Sequence, residues 1–248
     1  MRIAAVGDIH GQENLEAFRA DLERLGPVDL FLLAGDTTER NDHGAFDVVL
    51  TALRARVEAP VWAVFGNNEY AHDHPAYLRT AEAHGVRVLQ DESATFSSAQ
   101  GRVRVVGSLG SLDRPTRWQR KNLPHLAGEY ERRIGTLDTL LEGPRPMLLL
   151  THYPPTYATM GGEKEEWRPE LGCRGLEPVL RRRRPDLVVH GHIHRGIPFA
   201  ELRAAAGTLD AFAGAGPSIP VHNVAYPVRR SITAFDVEDP AGLYPSDP

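Results

Sequence analysis

The stretch RIAAVGDIH, residues 2–10, contains the pattern that decides the fold. After Arg2 the residues are apolar, and the run stops at a glycine followed by Asp8. A continuous apolar run of this kind is typical of a strand that is buried on both faces of a sheet. The same design recurs along the chain, where further apolar runs end at Asp36, Asn67, His152, and the pair His192 and His194. We therefore expect buried strands that each end in a polar side chain.

The segments between the first three of these strands show the spacing of amphipathic helices. The apolar residues that recur every three or four positions are Leu15, Phe18, Leu22 and Leu25 in the first segment and Phe46, Val49, Leu50, Leu53 and Val57 in the second. An alternation of strand, helix and strand predicts a parallel sheet with right-handed crossovers. Functional groups gather at the carboxyl ends of such strands, so we expect the polar strand ends to meet on one rim.

The middle of the chain predicts a different local structure. Residues 86–110 contain two short apolar segments around a polar turn at Gln100 and Gly101, which is typical of an antiparallel hairpin. Residues 125–143 show helical spacing and end at Gly143, a common helix stop. We therefore expect a hairpin followed by a helix in this part of the chain.

Two late segments complete the predicted architecture. DAFAGAG (210–216) and SITAFDVE (231–238) are expected to be strands of the second sheet. The chain contains neither an internal repeat nor a clear linker, so we expect residues 1–248 to form a single domain of α/β class. The polar, proline-containing stretch 240–248 is expected to be a frayed tail.

The composition is that of a soluble globular protein and argues against two classes of partner. Hydrophobic residues make up 42% of the 248 residues and charged residues 25%. A net charge of -5 does not favour nucleic acid, although a local basic groove stays open. No apolar run approaches the roughly 20 residues that span a bilayer, so no membrane partner is expected. A single cysteine, Cys173, and the lack of a secretory leader predict a cytoplasmic location.

Seven polar residues at the predicted strand ends form a candidate metal constellation. They are Asp8, His10, Asp36, Asn67, His152, His192 and His194. Carboxylate, imidazole and amide donors together suit Mn, Fe or Zn better than Ca or Mg, and one Asp can bridge two ions. Taken alone, an Asp after a Gly is a common turn former or helix cap, and a lone His is a common structural residue. The GHIH stretch is more specific, because alternate residues of an extended strand point the same way and can divide between two ions.

The ordered series GDxH, GD, GNxE, H and GHxH resembles the calcineurin-like metallophosphoesterases over roughly residues 2–235, and in particular their small intracellular phosphodiesterases. The resemblance implies a four-layer α/β/β/α sandwich of two mixed β-sheets, with a dinuclear metal site at the carboxyl ends of the strands. It implies that Asp8, His10 and His194 hold one metal, that Asn67, His152 and His192 hold the other, and that Asp36 bridges them. The cofactors implied are two divalent transition-metal ions, with Mn foremost and Fe, Zn or Ni as alternatives.

Such a centre hydrolyses phosphate esters by attack of a metal-activated hydroxide. The resemblance gives catalytic roles to Asp36, His152 and the position of Asn68. Many relatives have a His where this chain has Asn68, and an amide can donate a hydrogen bond but not a proton. Loss of general-acid help, typically worth about 10²–10⁴-fold, affects poor leaving groups most. We therefore predict a phosphodiesterase rather than a monoesterase, acting on a small phosphate ester such as a nucleotide.

Four residues near the motifs are candidates for supporting roles. His72, His74 and His190 could replace the missing proton donor, although a polar loop explains the first two better. His190 is expected to orient a ligand or to pack structurally. Glu69 is expected to orient a ligand histidine from behind, with a solvent-facing glutamate as the alternative.

Two other functions stay open at this point. A nuclease-like enzyme would use the arginine-rich segment 111–122, which an amphipathic surface helix explains better. The run of arginines at 181–184 fits the cationic end of a helix. A protein-binding scaffold would show eroded ligands, and none is eroded here. Residues 153–177 are expected to form a lid or rim in which Tyr157 or Trp167 can stack on a substrate, and cover for the second sheet explains them equally. The sequence indicates no oligomeric state.

Overall fold

The computed structural model describes residues 1–203 and 218–237, and within these ranges the chain forms eleven strands and seven α-helices. The strands are β1 (Arg2–Val6), β2 (Leu30–Ala34), β3 (Val61–Val64), β4 (Val86–Val88), β5 (Glu92–Ser98), β6 (Gly101–Ser108), β7 (Met147–Thr151), β8 (Leu187–His190), β9 (Phe199–Arg203), β10 (Ser218–Asn223) and β11 (Thr233–Asp236). The helices are α1 (Leu15–Arg24), α2 (His43–Arg54), α3 (His74–Ala83), α4 (Arg117–Asn122), α5 (Leu126–Leu140), α6 (Glu177–Arg183) and α7 (Tyr226–Arg229).

The strands form two mixed sheets. The first has the order β11-β1-β2-β3-β4, in which β1 to β4 are parallel and β11 runs antiparallel to β1. The second has the order β5-β6-β7-β8-β10-β9, with a parallel centre and an antiparallel strand at each edge. This confirms the predicted pair of mixed sheets and the hairpin around Gln100 and Gly101.

Three apolar cores separate four layers, as the sandwich architecture requires. In β1, Ala4 and Val6 face the core that the first sheet shares with α1, α2 and α3. Ile3 and Ala5 face the core between the two sheets. The third core lies between the second sheet and the helices α5 and α6, where Leu137 is buried. Strands buried on both faces explain why the sequence shows continuous apolar runs rather than alternation.

The late segments were predicted only in part. SITAFDVE does contain β11, but this strand pairs with β1 of the first sheet rather than with the second sheet. The pairing is non-local, so neither its residues nor their spacing could identify the partner strand. β9 and β10 were not predicted, because neither strand shows a continuous apolar run. β10 also contains Pro220. The segment DAFAGAG lies outside the described residues, as does the predicted tail.

Strand register brings the polar strand ends together. Thr151 at the end of β7 lies beside His190 at the end of β8, so the residues that follow them start from the same edge. In the first sheet the backbone N–H of Asp8 donates to the carbonyl of Gly35 at 2.9 Å.

That residues 1–248 form one domain stays a prediction. In the described part of the chain, no helix has the length and apolar character needed to cross a membrane.

Candidate metal centre

Sharp turns directly after the strands aim the polar side chains at one another. Asp8, His10, Asp36 and His192 have φ angles of 55°, 54°, 47° and 70°, in the left-handed region that non-glycine residues rarely adopt. Such conformations cost free energy and cluster at functional sites. They also correct one expectation, because β8 ends at His190 and the GHIH stretch is a turn rather than an extended strand.

Glycines allow these turns to approach each other closely. A β-carbon on Gly66 would lie 2.1 Å from the Oδ1 of Asp36, and one on Gly191 would lie 2.4 Å from the Oδ2 of Asp8. Neither contact is sterically possible, so only glycine fits at these two positions. The glycines of the predicted motifs are therefore part of how the site is built.

The outer cluster consists of Asp8, His10 and His194, whose donor atoms lie within 4.8 Å of one another. The Nε2 of His194 lies 2.9 Å from the Oδ1 of Asp8, and the Nε2 of His10 lies 3.2 Å from that of His194. Asp8 is fully buried, whereas His194 is exposed. The outer cluster is thus open to solvent on one side.

The inner cluster consists of Asp36, His152 and His192, whose donor atoms also lie within 4.8 Å of one another. The Oδ1 of Asn67 lies 3.1 Å from the Nε2 of His152, so this amide joins the cluster. Asp36 and His152 are buried. All seven residues of the predicted constellation therefore converge, and His192 and His194 divide between the two clusters.

The donor chemistry of the two clusters fits divalent transition-metal ions. The Nδ1 of His152 donates to the carbonyl of Ala34 at 3.0 Å, so the Nε2 is left with a lone pair. As placed, this nitrogen faces two oxygen atoms, the Oδ1 of Asn67 at 3.1 Å and the Oδ1 of Asp36 at 3.5 Å. Burial lowers the pKa values of His152 and His192, so both imidazoles are neutral at pH 7. Lone pairs that converge in this way are the arrangement a cation requires.

The charge of the site leads to the same conclusion. Asp8, Asp36 and Glu69 are buried together, and among the described residues no lysine or arginine pairs with any of them. The pKa of Asp36 is raised to about 7, mainly by burial and secondly by the negative charge of Asp8. Burial, followed by the charge of Asp36, raises the pKa of Glu69 to about 7. Buried carboxylates are normally paired or coordinate metals, so this group of residues suits a bound cation.

Glu69 has a different role from the one expected. Its Oε2 accepts hydrogen bonds from the backbone N–H groups of Gly66 at 2.7 Å and Asp36 at 3.1 Å, and its Oε1 accepts one from Thr38 at 3.1 Å. These partners belong to the loops after β2 and β3. Glu69 therefore joins two loops through their backbones instead of orienting a ligand histidine.

Asn68 contacts the candidate bridging carboxylate directly. Its Nδ2 donates to the Oδ2 of Asp36 at 2.6 Å, and its backbone N–H donates to the Oδ1 at 2.8 Å. The side-chain oxygen accepts from the backbone N–H of Arg40 at 2.9 Å. Both ends of the amide are therefore hydrogen-bonded, and its nitrogen holds Asp36 in place.

None of the three histidines considered as replacement proton donors belongs to either cluster. His190 is fully buried, with its ring nitrogens 2.7 Å from the carbonyl of Gly191 and 2.8 Å from the Oγ1 of Thr159. His74 stacks on Phe65, and its Nε2 contacts the carbonyl of Glu69 at 3.0 Å. His72 is exposed and lies 3.3 Å from Asp73.

The sequence interpretation missed Glu39 and Glu13. Together with Asn68 and residues of both clusters, these glutamates line an open pocket of about 370 Å³. The Oε2 of Glu39 lies 2.5 Å from the Nδ1 of His10. Glu39 follows Asp36 by three residues on the same rim, which is the one signal that could have identified it. Glu13 carries no local pattern at all.

The arginine-rich segments are largely paired with acidic residues. Arg114 and Arg120 each lie 3.0 Å from the Oε1 of Glu170, which ties segment 111–122 to segment 153–177. In the run at 181–184, Arg182 and Arg183 both lie 2.7 Å from Asp138. These contacts fit the surface and helix-end interpretations of the two segments.

Two further residues of these segments are engaged with Asp113. The hydroxyl of Tyr157 donates to its Oδ2 at 2.6 Å, and stacking of this ring on a substrate stays a prediction. The Sγ of Cys173 lies 3.3 Å from its Oδ1, and burial raises the pKa of this thiol to about 12. The cysteine is therefore unreactive at neutral pH. Trp167 is about half exposed.

Comparison with known proteins identifies the family. The sequence model of the family described as calcineurin-like phosphoesterase matches residues 1–196, and the chain belongs to this family. A search of curated protein sequences found no match.

Solved structures share the fold. The phosphopantetheinyl hydrolase PptH of Mycobacterium tuberculosis is 18% identical and has a TM-score of 0.64, with 91% of this chain and 89% of that chain covered. The protein TT1561 of Thermus thermophilus is 19% identical and has a TM-score of 0.55, with 95% of this chain and 98% of that chain covered. At this identity the likeness shows the fold alone, and it agrees with the four-layer sandwich.

Proposed function

We propose that this protein is a phosphodiesterase that uses two divalent transition-metal ions, Mn²⁺ foremost. Asp8, His10 and His194 would hold one ion, Asn67, His152 and His192 would hold the other, and both would share Asp36. Two such ions, when bound, lower the pKa of water and offset the charge of a phosphate ester. The observation that carries the proposal is the convergence of both clusters on one rim, with buried carboxylates that no lysine or arginine neutralises among the described residues.

Two observations support diesters over monoesters. Asn68 has no proton to transfer and is engaged with Asp36, so a leaving group must depart without general-acid help from this position. The pocket is lined by the carboxylates of Glu13 and Glu39, which repel a monoester dianion more strongly than a diester monoanion. Good leaving groups and a single negative charge are therefore the substrate features that this site favours.

The two alternative functions have less support. The arginines that a nuclease would need are largely paired with Glu170 and Asp138. A scaffold with a vestigial site would have lost ligand residues, and all seven candidate ligands are present and close together. A small phosphate ester such as a nucleotide is therefore the proposed substrate. A phosphopantetheinyl compound belongs in the panel of substrates to be assayed, because a structural neighbour is named as a phosphopantetheinyl hydrolase. A cytoplasmic setting is part of the proposal, because the lone cysteine is free and buried.

The test is a hydrolysis assay on metal-stripped protein with Mn²⁺, Zn²⁺, Fe²⁺ or Ni²⁺ added back. We expect metal-dependent hydrolysis of bis-p-nitrophenyl phosphate that exceeds hydrolysis of p-nitrophenyl phosphate. Faster turnover of the monoester would overturn the diester preference, and no turnover of any panel substrate despite two bound ions would favour the scaffold.

A further inference from the structure

Glu39 forms a close contact with the outer cluster. Its Oε2 lies 2.5 Å from the Nδ1 of His10, within hydrogen-bond distance. The opposite nitrogen of the same ring, Nε2, lies 3.2 Å from the Nε2 of His194 and 3.8 Å from the Oδ1 of Asp8. Glu39 therefore contacts the side of the imidazole that faces away from the cluster.

The corresponding ring of the inner cluster is held differently. The Nδ1 of His152 donates to the backbone carbonyl of Ala34, and both groups are buried. A backbone carbonyl at the end of β2 cannot be removed by a side-chain change. The side chain of Glu39, in contrast, is 43% exposed and belongs to a loop. The Nδ1 of His152 is thus held by a backbone carbonyl, whereas the Nδ1 of His10 is held by a side chain.

We propose that Glu39 is a positioning residue for the outer metal site. By accepting the Nδ1 hydrogen of His10, it fixes the tautomer in which the Nε2 presents its lone pair, and it fixes the rotation of the ring. The outer site depends on this contact, and the inner site does not. The inference rests on the proposed metal centre and adds a residue that the candidate ligand set does not contain.

A charge effect alone would act differently, and the chain offers a control for it. Glu13 lines the same pocket as Glu39. The hydrogen bond to Asp8 is the main cause that raises the pKa of His194, and the charge of Glu13 adds to it in the same direction. Among the described residues the side chain of Glu13 makes no hydrogen bond to the His10 ring, and the bond from the backbone N–H of Glu13 to the carbonyl of His10 at 3.2 Å is unaffected by a side-chain change. Glu13→Gln therefore removes one negative charge beside the outer cluster and leaves the orientation of His10 unchanged.

The experiment titrates metal-free protein with Mn²⁺ alone and measures the affinity of each site calorimetrically, with electron paramagnetic resonance to detect a coupled Mn pair. The variants are Glu39→Ala, Glu39→Gln and the control Glu13→Gln, and circular dichroism checks that each is folded. In Glu39→Ala we expect one site to weaken by about 10–100-fold and the coupled signal to disappear at low Mn²⁺, while the other site changes by less than about 3-fold. Glu39→Gln keeps an acceptor and is expected to retain most of the affinity.

Three outcomes would overturn the inference. Equal weakening in Glu39→Gln and Glu13→Gln would mean that Glu39 acts only through its charge. Equal weakening of both sites in folded Glu39→Ala would mean that the contact is not specific for the outer cluster. Unchanged affinities in Glu39→Ala would mean that His10 needs no support. Failure of the natural protein to bind two Mn²⁺ ions would instead refute the metal centre itself.

Discussion

The inner and outer clusters lie on the same rim but are supported by different parts of the chain. In the inner cluster, a backbone carbonyl holds His152, and the loops that carry Asp36 and Asn67 are joined by the buried Glu69. In the outer cluster, Glu39 holds His10, and His194 is exposed. The support of the inner cluster is thus part of the folded core. The support of the outer cluster is an accessible side chain.

This difference separates stability from metal binding. A change in the support of the inner cluster removes buried hydrogen bonds, so it must affect the free energy of unfolding. A change in the support of the outer cluster leaves the core intact, so its effect must fall on metal affinity. Single substitutions can test whether the free energy of unfolding and the metal affinity respond separately.

Asp36 belongs to the inner cluster and is the candidate bridge between the clusters, so its replacement should have the largest effect. Asp36→Asn keeps the shape of the side chain but removes its charge. We expect diester hydrolysis to fall by at least about 10³-fold, because both metals lose a shared ligand. Activity within about 10-fold of the natural protein, measured with bis-p-nitrophenyl phosphate at saturating Mn²⁺, would show that Asp36 is not a shared ligand.

Glu69 should matter for folding more than any other polar residue of the site. Glu69→Ala leaves three buried N–H groups without their acceptor, those of Gly66, Asp36 and Thr38. With about 1–3 kcal/mol for each unsatisfied group, and water entering part of the cavity, we expect a loss of about 3 kcal/mol in the metal-free protein. Urea denaturation measures it, and Glu39→Ala, expected to lose less than about 1 kcal/mol, is the matched comparison. Equal losses in the two variants would abolish the distinction between the clusters.

The pH dependence of the same position follows from its raised pKa. Burial, followed by the charge of Asp36, raises the pKa of Glu69 to about 7, from an ordinary value of about 4.5. Between these values the folded metal-free protein binds more protons than the unfolded chain, so the contribution of Glu69 to stability falls as the pH rises. Relative to Glu69→Gln, the metal-free natural protein should therefore lose on the order of 2 kcal/mol between pH 5 and pH 7.5. A difference that stays flat or grows with pH would mean that Glu69 is ionised in the folded state throughout.

Local sequence patterns were enough to predict most of the fold. Apolar runs identified β1, β2, β3, β7 and β8, because a strand buried on both faces needs continuous apolar residues. The partner of β11 and the existence of β10 could not be read in this way. Both depend on contacts between residues that are far apart in the sequence, and β10 contains Pro220.

Site residues could be predicted from the sequence where a potential ligand directly follows an apolar run, because such a run marks the end of a buried strand. All seven predicted ligands converge, because the ends of these strands meet on one rim. Glu39 was missed because its partner, His10, is 29 residues away and no local pattern links them. Glu69 was assigned the wrong contact for a related reason, since its acceptor role is set by the backbone of two loops. The roles of the seven residues as metal ligands stay a prediction that metal titration will test.

Asn68 should have a smaller effect than the general acid it replaces. Asn68→Ala removes the hydrogen bond from Nδ2 to Asp36 but leaves the backbone N–H bond in place. We expect kcat/KM for bis-p-nitrophenyl phosphate to fall about 10-fold, in line with one hydrogen bond to a charged group. Asn41→Ala is the control, because Asn41 contacts Asp73 and Tyr70 instead of Asp36, and it should change the rate by less than about 3-fold. A loss of 10³-fold or more in Asn68→Ala would contradict a purely positioning role.

Glu170 tests whether the rim loops follow the same division, and it should give the smallest effect. It pairs with Arg114 and Arg120, whose side chains are about half exposed, and exposed pairs are worth roughly 0–1 kcal/mol. Glu170→Ala should therefore cost less than about 1 kcal/mol and leave hydrolysis of bis-p-nitrophenyl phosphate unchanged. If this variant slows a bulky diester and not the small one, segments 111–122 and 153–177 contact the substrate beyond the phosphate. Equal slowing of both diesters would mean that these loops support the metal centre itself, and the division between core support and surface support would then have to include them.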